Sequence, residues 1–166
     1  DDTWRFDNFS SKVCKFFNVC STVEEDYIEK FKQVGFSNII LGMWHINVDF
    51  YPKVITKDLD VSFCGIPNFE RESYTNCLKR ENIDIHYKYG LSHEDMCEVI
   101  SRSKMSLNFS KNMTVTPPRR QIKNRLFEVP AGKTLLCTEE TPNLEKYFEP
   151  NKEVITFDTS LELVEK

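Results

Sequence analysis

The chain alternates between two local patterns, and this constrains its fold more than any other feature. Short apolar stretches of strand character run over 15–22, 38–44, 59–67, 83–90, 105–110, 133–139 and 152–158. Between them lie amphipathic stretches of helical period, over 21–35, 68–82, 91–104, 121–129, 141–150 and 160–166. Repeated strand–helix units with mostly apolar strands predict a parallel sheet covered on both faces. Right-handed crossovers make that a doubly wound α/β fold. Residues 45–58 have no clean period and contain Pro52, so they read as a linker or crossover. The expected organisation is therefore a partial domain over 1–57 and a second domain over 58–166.

Local punctuation supports the pattern. Ser21 or Thr22 is placed to cap the helix over 21–35, acids fill its first turn, and Gly35 is placed to end it. Ser92 is placed to cap the helix over 91–104, with acids in the first turn and bases in the last. The stretch 111–120, "KNMTVTPPRR", is long for an α/β connection and reads as a functional loop.

With 40% hydrophobic and 29% charged residues, a chain of 166 has enough apolar side chains for a folded core. A net charge of −4 argues against a general nucleic-acid partner. The six cysteines form no Cys-x-x-Cys pair and sit among apolar neighbours, so they read as reduced core residues of a cytoplasmic protein. The three histidines are scattered, and neither a metal site nor a cofactor is expected. No run approaches the roughly 20 apolar residues of a membrane span. The glycosylation-like tripeptides at Asn8, Asn108 and Asn112 read as chance matches.

In a doubly wound fold, ligands bind beyond the carboxyl ends of the strands. Three breaks fall there: "CGIPNFER", "NFSKNMTVTPPRRQIKNR" and "TEETPN". Gly65 lets backbone approach a ligand, or is a plain turn glycine. Arg71, early in its helix, opposes the helix dipole unless an anion is near. Lys111, Arg119 and Arg120, followed by Lys123 and Arg125, suit a diphosphate, or form a basic loop in solvent. Ile122, Leu126 and Val129 form a stripe expected to face the core, while Gln121, Arg125 and Glu128 form a second. Glu128, an acceptor-only group, suits a pair of vicinal sugar hydroxyls. It equally suits a salt bridge with Arg125.

Three stretches together carry a resemblance. "LDVSFCGIP", "LSHEDMCEVISRSKMSLNFSK" and "QIKNRLFEVPAGKTLLCTEETPNLEKYFEPNKEVITFDT" resemble the carboxyl-terminal domain of group-1 type glycosyltransferases, nearest the CgeB-like branch. The similarity covers about residues 58–166 and implies the GT-B fold, in which two Rossmann-like domains face a cleft. It implies a hexosyl-type transferase using a UDP- or GDP-sugar donor and an unknown glycan, protein or lipid acceptor, without metal. Residues 1–57 would then be the tail of the acceptor-side domain. A complete enzyme of this kind is longer than this chain, which starts without methionine and is expected to bind donor without turning over.

The implied donor-binding residues are Gly65, Arg71, Tyr89, Ser110, Lys111, Arg120, Gln121 and Glu128, with Arg125 and Lys123 in the catalytic role. Glu128 takes the position that holds the donor ribose. Two departures stand out. The second glutamate of better-studied group-1 enzymes falls at Arg120, leaving Gln121 as the nearest polar replacement, and the "VPAGKT" turn is one residue short. Two other classes compete: a non-catalytic sugar-nucleotide binding module with the same site, and a receiver-type signalling domain. The latter wants acids after the first strand, where "CGIP" has none.

Overall fold

The structure, a computed structural model, describes residues 5–42, 44–53, 56–112 and 118–166. Its contacts divide the chain into two compact units, Asp1–His45 with Asn112–Arg119, and Ile46–Lys111 with Arg120–Lys166. The first division falls ahead of the expected 57/58 boundary. Tyr51, from the presumed linker, is buried in one core with Cys97, Ile100 and Leu126 of the second unit.

The first unit is a single strand–helix–strand element. Strand β1 (Cys20–Thr22) pairs in parallel with β2 (Ile39–Leu41), and helix α1 (Glu25–Gln33) joins them. Phe6, Cys14, Tyr27 and Phe31 form its core. The strand expected over 15–22 shrinks to its last three residues, because Cys14–Phe16 makes a helical turn instead. Neither Ser21 nor Thr22 is the cap of α1: that position is Glu24, and the Thr22 hydroxyl accepts from the Glu24 N–H just ahead of it. Gly35, at φ +81°, follows the helix in the left-handed region as expected.

The second unit is a Rossmann-like α/β layer structure. Its strands are β3 (Leu59–Cys64), β4 (Ile85–Lys88), β5 (Ser103–Asn108), β8 (Leu135–Glu139) and β9 (Ile155–Phe157). Two short paired strands, β6 (Lys111–Asn112) and β7 (Arg119–Arg120), flank the part of the expected 111–120 loop that lies outside the described residues. The five main strands are parallel in the order β4-β3-β5-β8-β9. Helices α2 (Phe69–Arg80), α3 (His93–Arg102), α4 (Arg125–Ala131) and α5 (Ser160–Glu165) cover the sheet. The Ser92 hydroxyl caps α3 by accepting from the Asp95 N–H.

Successive residues of a strand point to opposite faces, and β8 makes this visible. Leu136 packs with Ile100, Leu126 and Val129 of α3 and α4. Its neighbour Cys137 packs with Tyr74, Leu78 and Leu163 of α2 and α5. The sheet is therefore wound on both sides. The chain leaves β3 in one direction for β4 and returns past it to β5, so the reversal lies between β3 and β5. Beyond the carboxyl ends of such a pair a doubly wound sheet has its crevice.

Candidate functional site

Helix α4 begins at Arg125, four residues later than the sequence pattern suggests. Two of the residues ahead of it are tied to distant backbone. The Gln121 N–H donates to the Ser110 carbonyl at 3.2 Å, and the Lys123 ammonium donates to the Lys111 carbonyl at 3.0 Å. The expected core stripe does face inward: Ile122, Leu126 and Val129 are all buried.

The second stripe turns toward the end of β3. The Arg125 guanidinium donates to the Cys64 carbonyl at 2.9 Å and pairs with Glu128 at 3.0 Å. Its other contact is the Met96 sulfur. Glu128 also accepts from the Asn124 amide at 2.7 Å. The two side chains of the pair are only 17% and 9% exposed, so this is a buried ion pair rather than a surface one. Each carboxylate oxygen of Glu128 has one protein donor. An ionised carboxylate has about four acceptor sites, so capacity remains for hydroxyl donors.

Arg125 shares a cavity of about 160 Å³ with Gly65 and Tyr89. Gly65 follows β3, and its N–H donates to the Lys88 carbonyl. A Cβ there would stand 2.6 Å from the Phe63 ring, which is why the position is glycine. Tyr89, just after β4, is exposed. Arg71 lies in the first turn of α2, donating to the Ile66 carbonyl at 2.7 Å with its guanidinium 5.5 Å from the centre of the Phe63 ring.

At the end of β5 the side chains are polar and buried. Asn108 donates to the hydroxyls of Ser110 and Thr138, and the Ser110 hydroxyl donates to the Glu139 carbonyl. Ser110 is fully buried in this network. The Lys111 ammonium pairs with Glu70, and the Lys111 N–H donates to the Glu139 carboxylate at 3.0 Å. Arg120 pairs with Asp158 after β9. Arg119, read with the loop cations, belongs to the first unit, where its guanidinium stands 5.4 Å from the Tyr27 ring centre.

The electrostatics are those of partly dehydrated cations. Burial holds the Lys123 ammonium below the usual lysine range, and Arg71 adds to this while Glu139 opposes it. Burial likewise lowers Arg71, against the fields of Tyr87, Glu139 and Glu70. A bound anion would offset both costs. No cluster of metal ligands occurs among the described residues. Burial pushes the Cys137 thiol up to about 12, and raises Cys64 and Cys97 too, so these three are packing groups rather than nucleophiles. All six cysteines are free.

Thus the structure gathers Gly65, Tyr89, Arg125 and Glu128 on one side, and Ser110, Lys111 and Lys123 on the other. Arg120 is engaged by Asp158. Sequence reasoning named the break "TEETPN" but did not single out Glu139 within it, which is completely buried at the end of β8. The available signal was an acid closing the apolar run "LLCTE".

Comparison with known proteins gives two findings. A glycosyl transferase-like family matches residues 54–166. The crystal structure of TarM aligns with a TM-score of 0.59 at 12% identity, over 99% of this chain. The chain spans 39% of the length of that structure. No curated protein matches. Among the described residues, no helix is long and apolar enough to cross a membrane.

Proposed function

Because the chain belongs to the glycosyl transferase-like family, we propose that its second unit holds the nucleoside diphosphate part of an activated sugar donor for glycosyl transfer. The observation that carries this reading is the buried Arg125–Glu128 pair at the carboxyl end of β3, whose Arg125 lines a cavity with Gly65 and Tyr89. A cation and an acceptor side by side suit a phosphate next to a ribose. Arg125, Lys123 and Arg71 would neutralise the diphosphate as it leaves, the charge development that fixed cations stabilise in a transition state. The spare acceptor sites of Glu128 would take the ribose hydroxyls. Gly65 would let the donor approach the end of β3, and Tyr89 would border the base. Lys111 and Gln121 would contribute backbone and side chain at the end of β5, with Ser110 bracing them and Arg120 at the rim.

In this reading the donor is a UDP- or GDP-sugar, the transfer is of hexosyl type and metal-independent, and the chain sits in the CgeB-like branch. The first unit is the tail of an acceptor-side domain, and the second, which starts at Ile46 and contains the expected 58–166 apart from Asn112–Arg119, is the donor domain. The acceptor is a glycan, protein or lipid. Titration calorimetry with uridine, guanosine, adenosine and cytidine diphosphates, in buffer containing EDTA, tests the reading. Binding of uridine or guanosine diphosphate is expected. No heat from any of the four, or binding abolished by EDTA, would refute it.

A further inference from the structure

Glu139 stands out among the buried groups. It is completely buried at the end of β8, between β5 and β9. One carboxylate oxygen accepts from the Lys111 N–H at 3.0 Å, and the other, also buried, has no hydrogen-bond partner among the described residues. A charged oxygen in that condition is costly unless the local field favours it. The Lys111 backbone is also held on its other side, where its carbonyl accepts from the Lys123 ammonium. Glu139, Lys111 and Lys123 therefore form one chain of contacts leading from the sheet interior to a candidate phosphate ligand.

We infer that Glu139 is a positioning residue for the donor phosphates, fixing the Lys111 backbone and, through it and by its charge, the Lys123 ammonium. This rests on the donor reading of the same site. A carboxylate beside phosphate-binding cations offsets some of their attraction for an anion. Its use is to keep a half-buried lysine charged. Burial and Arg71 both drive the Lys123 proton off, and Glu139 opposes them. The groups facing Glu139 are Lys111 on β6, Arg120 on β7, Lys123 before α4, and Arg71 and Tyr74 on α2. Only Lys123 combines a depressed ammonium with a hydrogen bond into the same backbone.

The test uses Glu139→Gln, which keeps the shape and an acceptor for the Lys111 N–H but removes the charge. The Lys123 ammonium is titrated by NMR of side-chain-labelled lysine in the free chain. Uridine and guanosine diphosphate affinities are measured at about pH 7 and about pH 9. The expected result is a lower Lys123 midpoint in the variant. Diphosphate binding should weaken relative to wild type more at the higher pH than at the lower. An unchanged Lys123 midpoint overturns the inference, because a merely structural Glu139 would leave it in place. If the wild-type chain binds neither diphosphate, the donor reading fails, and the Lys123 midpoint still decides the coupling. Should the variant not fold, the wild-type chain decides. The Glu139 carboxyl carbon and the Lys111 amide must both report the Lys123 midpoint, and a titration invisible at both overturns the coupling.

Discussion

Glu128→Gln separates a buried, functional carboxylate from a solvent-screened one. The sequence left open a surface pair with Arg125, for which neutralising one partner costs about 0.5 kcal/mol or less. The structure changes the magnitude, because the pair is almost wholly removed from water. Leaving a buried charge without any partner costs about 3–5 kcal/mol. That limit is not reached here. Arg125 keeps the Cys64 carbonyl, and the new amide retains one acceptor oxygen. The Asn124 arm can be rebuilt, since the Asn124 amide oxygen is buried and unpartnered and can accept from the new amide. The loss therefore concentrates on one charge-assisted bond, roughly 1.5–3 kcal/mol. For a chain of this size that is a fall in Tm of about 4–10 °C, read by circular dichroism. In calorimetry the variant should also weaken a ribonucleoside diphosphate more than its 2′-deoxy form. A Tm change under about 1 °C, or equal loss for both ligands, would refute the reasoning.

Three further outcomes are expected. The Lys123 ammonium is held below its ordinary 10.5, so between the depressed value and 10.5 the unfolded chain binds more protons. Its cost to stability is therefore full below the folded value and disappears as pH rises past 10.5. Lys123→Met should raise Tm at neutral pH, with a gain that shrinks toward alkaline pH, while weakening diphosphate binding; a pH-independent change in Tm would count against it. Leu126→Ala, at a fully buried position, should cost about 2–5 kcal/mol in urea denaturation. Gly65→Ala should cost about 1–3 kcal/mol by driving a methyl into the Phe63 ring, and should weaken diphosphate binding as that ring or the backbone shifts.

The second unit was largely legible because its strands are buried on both faces and helices α2, α3 and α5 carry side-chain caps. Strands β3, β5 and β8 fall inside or beside the apolar runs that announced them, and Ser92 caps the helix it was expected to cap. The losses have physical causes. Phe16 and Phe17 lie in a short apolar run, whose period does not separate strand from helix, and Phe16 ends a helical turn. The helix expected over 141–150 reduces to one turn, Leu144–Lys146, entered through Asn143 at φ 66°. The start of α4 moved from 121 to 125 because the Gln121 N–H and the Lys123 ammonium bond to distant backbone, at Ser110 and Lys111, which no local pattern records. The same holds for the site. The cations were visible in the chain, but the burial of Glu139 depends on β5 and β9 closing around it. The place of Arg119 depends on Tyr27, far away in sequence.

The most direct measurement is an amide NMR titration of the labelled chain with uridine diphosphate and guanosine diphosphate in EDTA. The account predicts saturable shifts for at least one of them, concentrated at Gly65, Arg71, Tyr89, Lys111, Lys123, Arg125 and Glu128, around the carboxyl ends of β3, β4 and β5. Shifts centred instead on the cavity lined by Lys53, Lys57 and Lys133, at the opposite ends of the strands, or no shifts from either nucleotide, would contradict it.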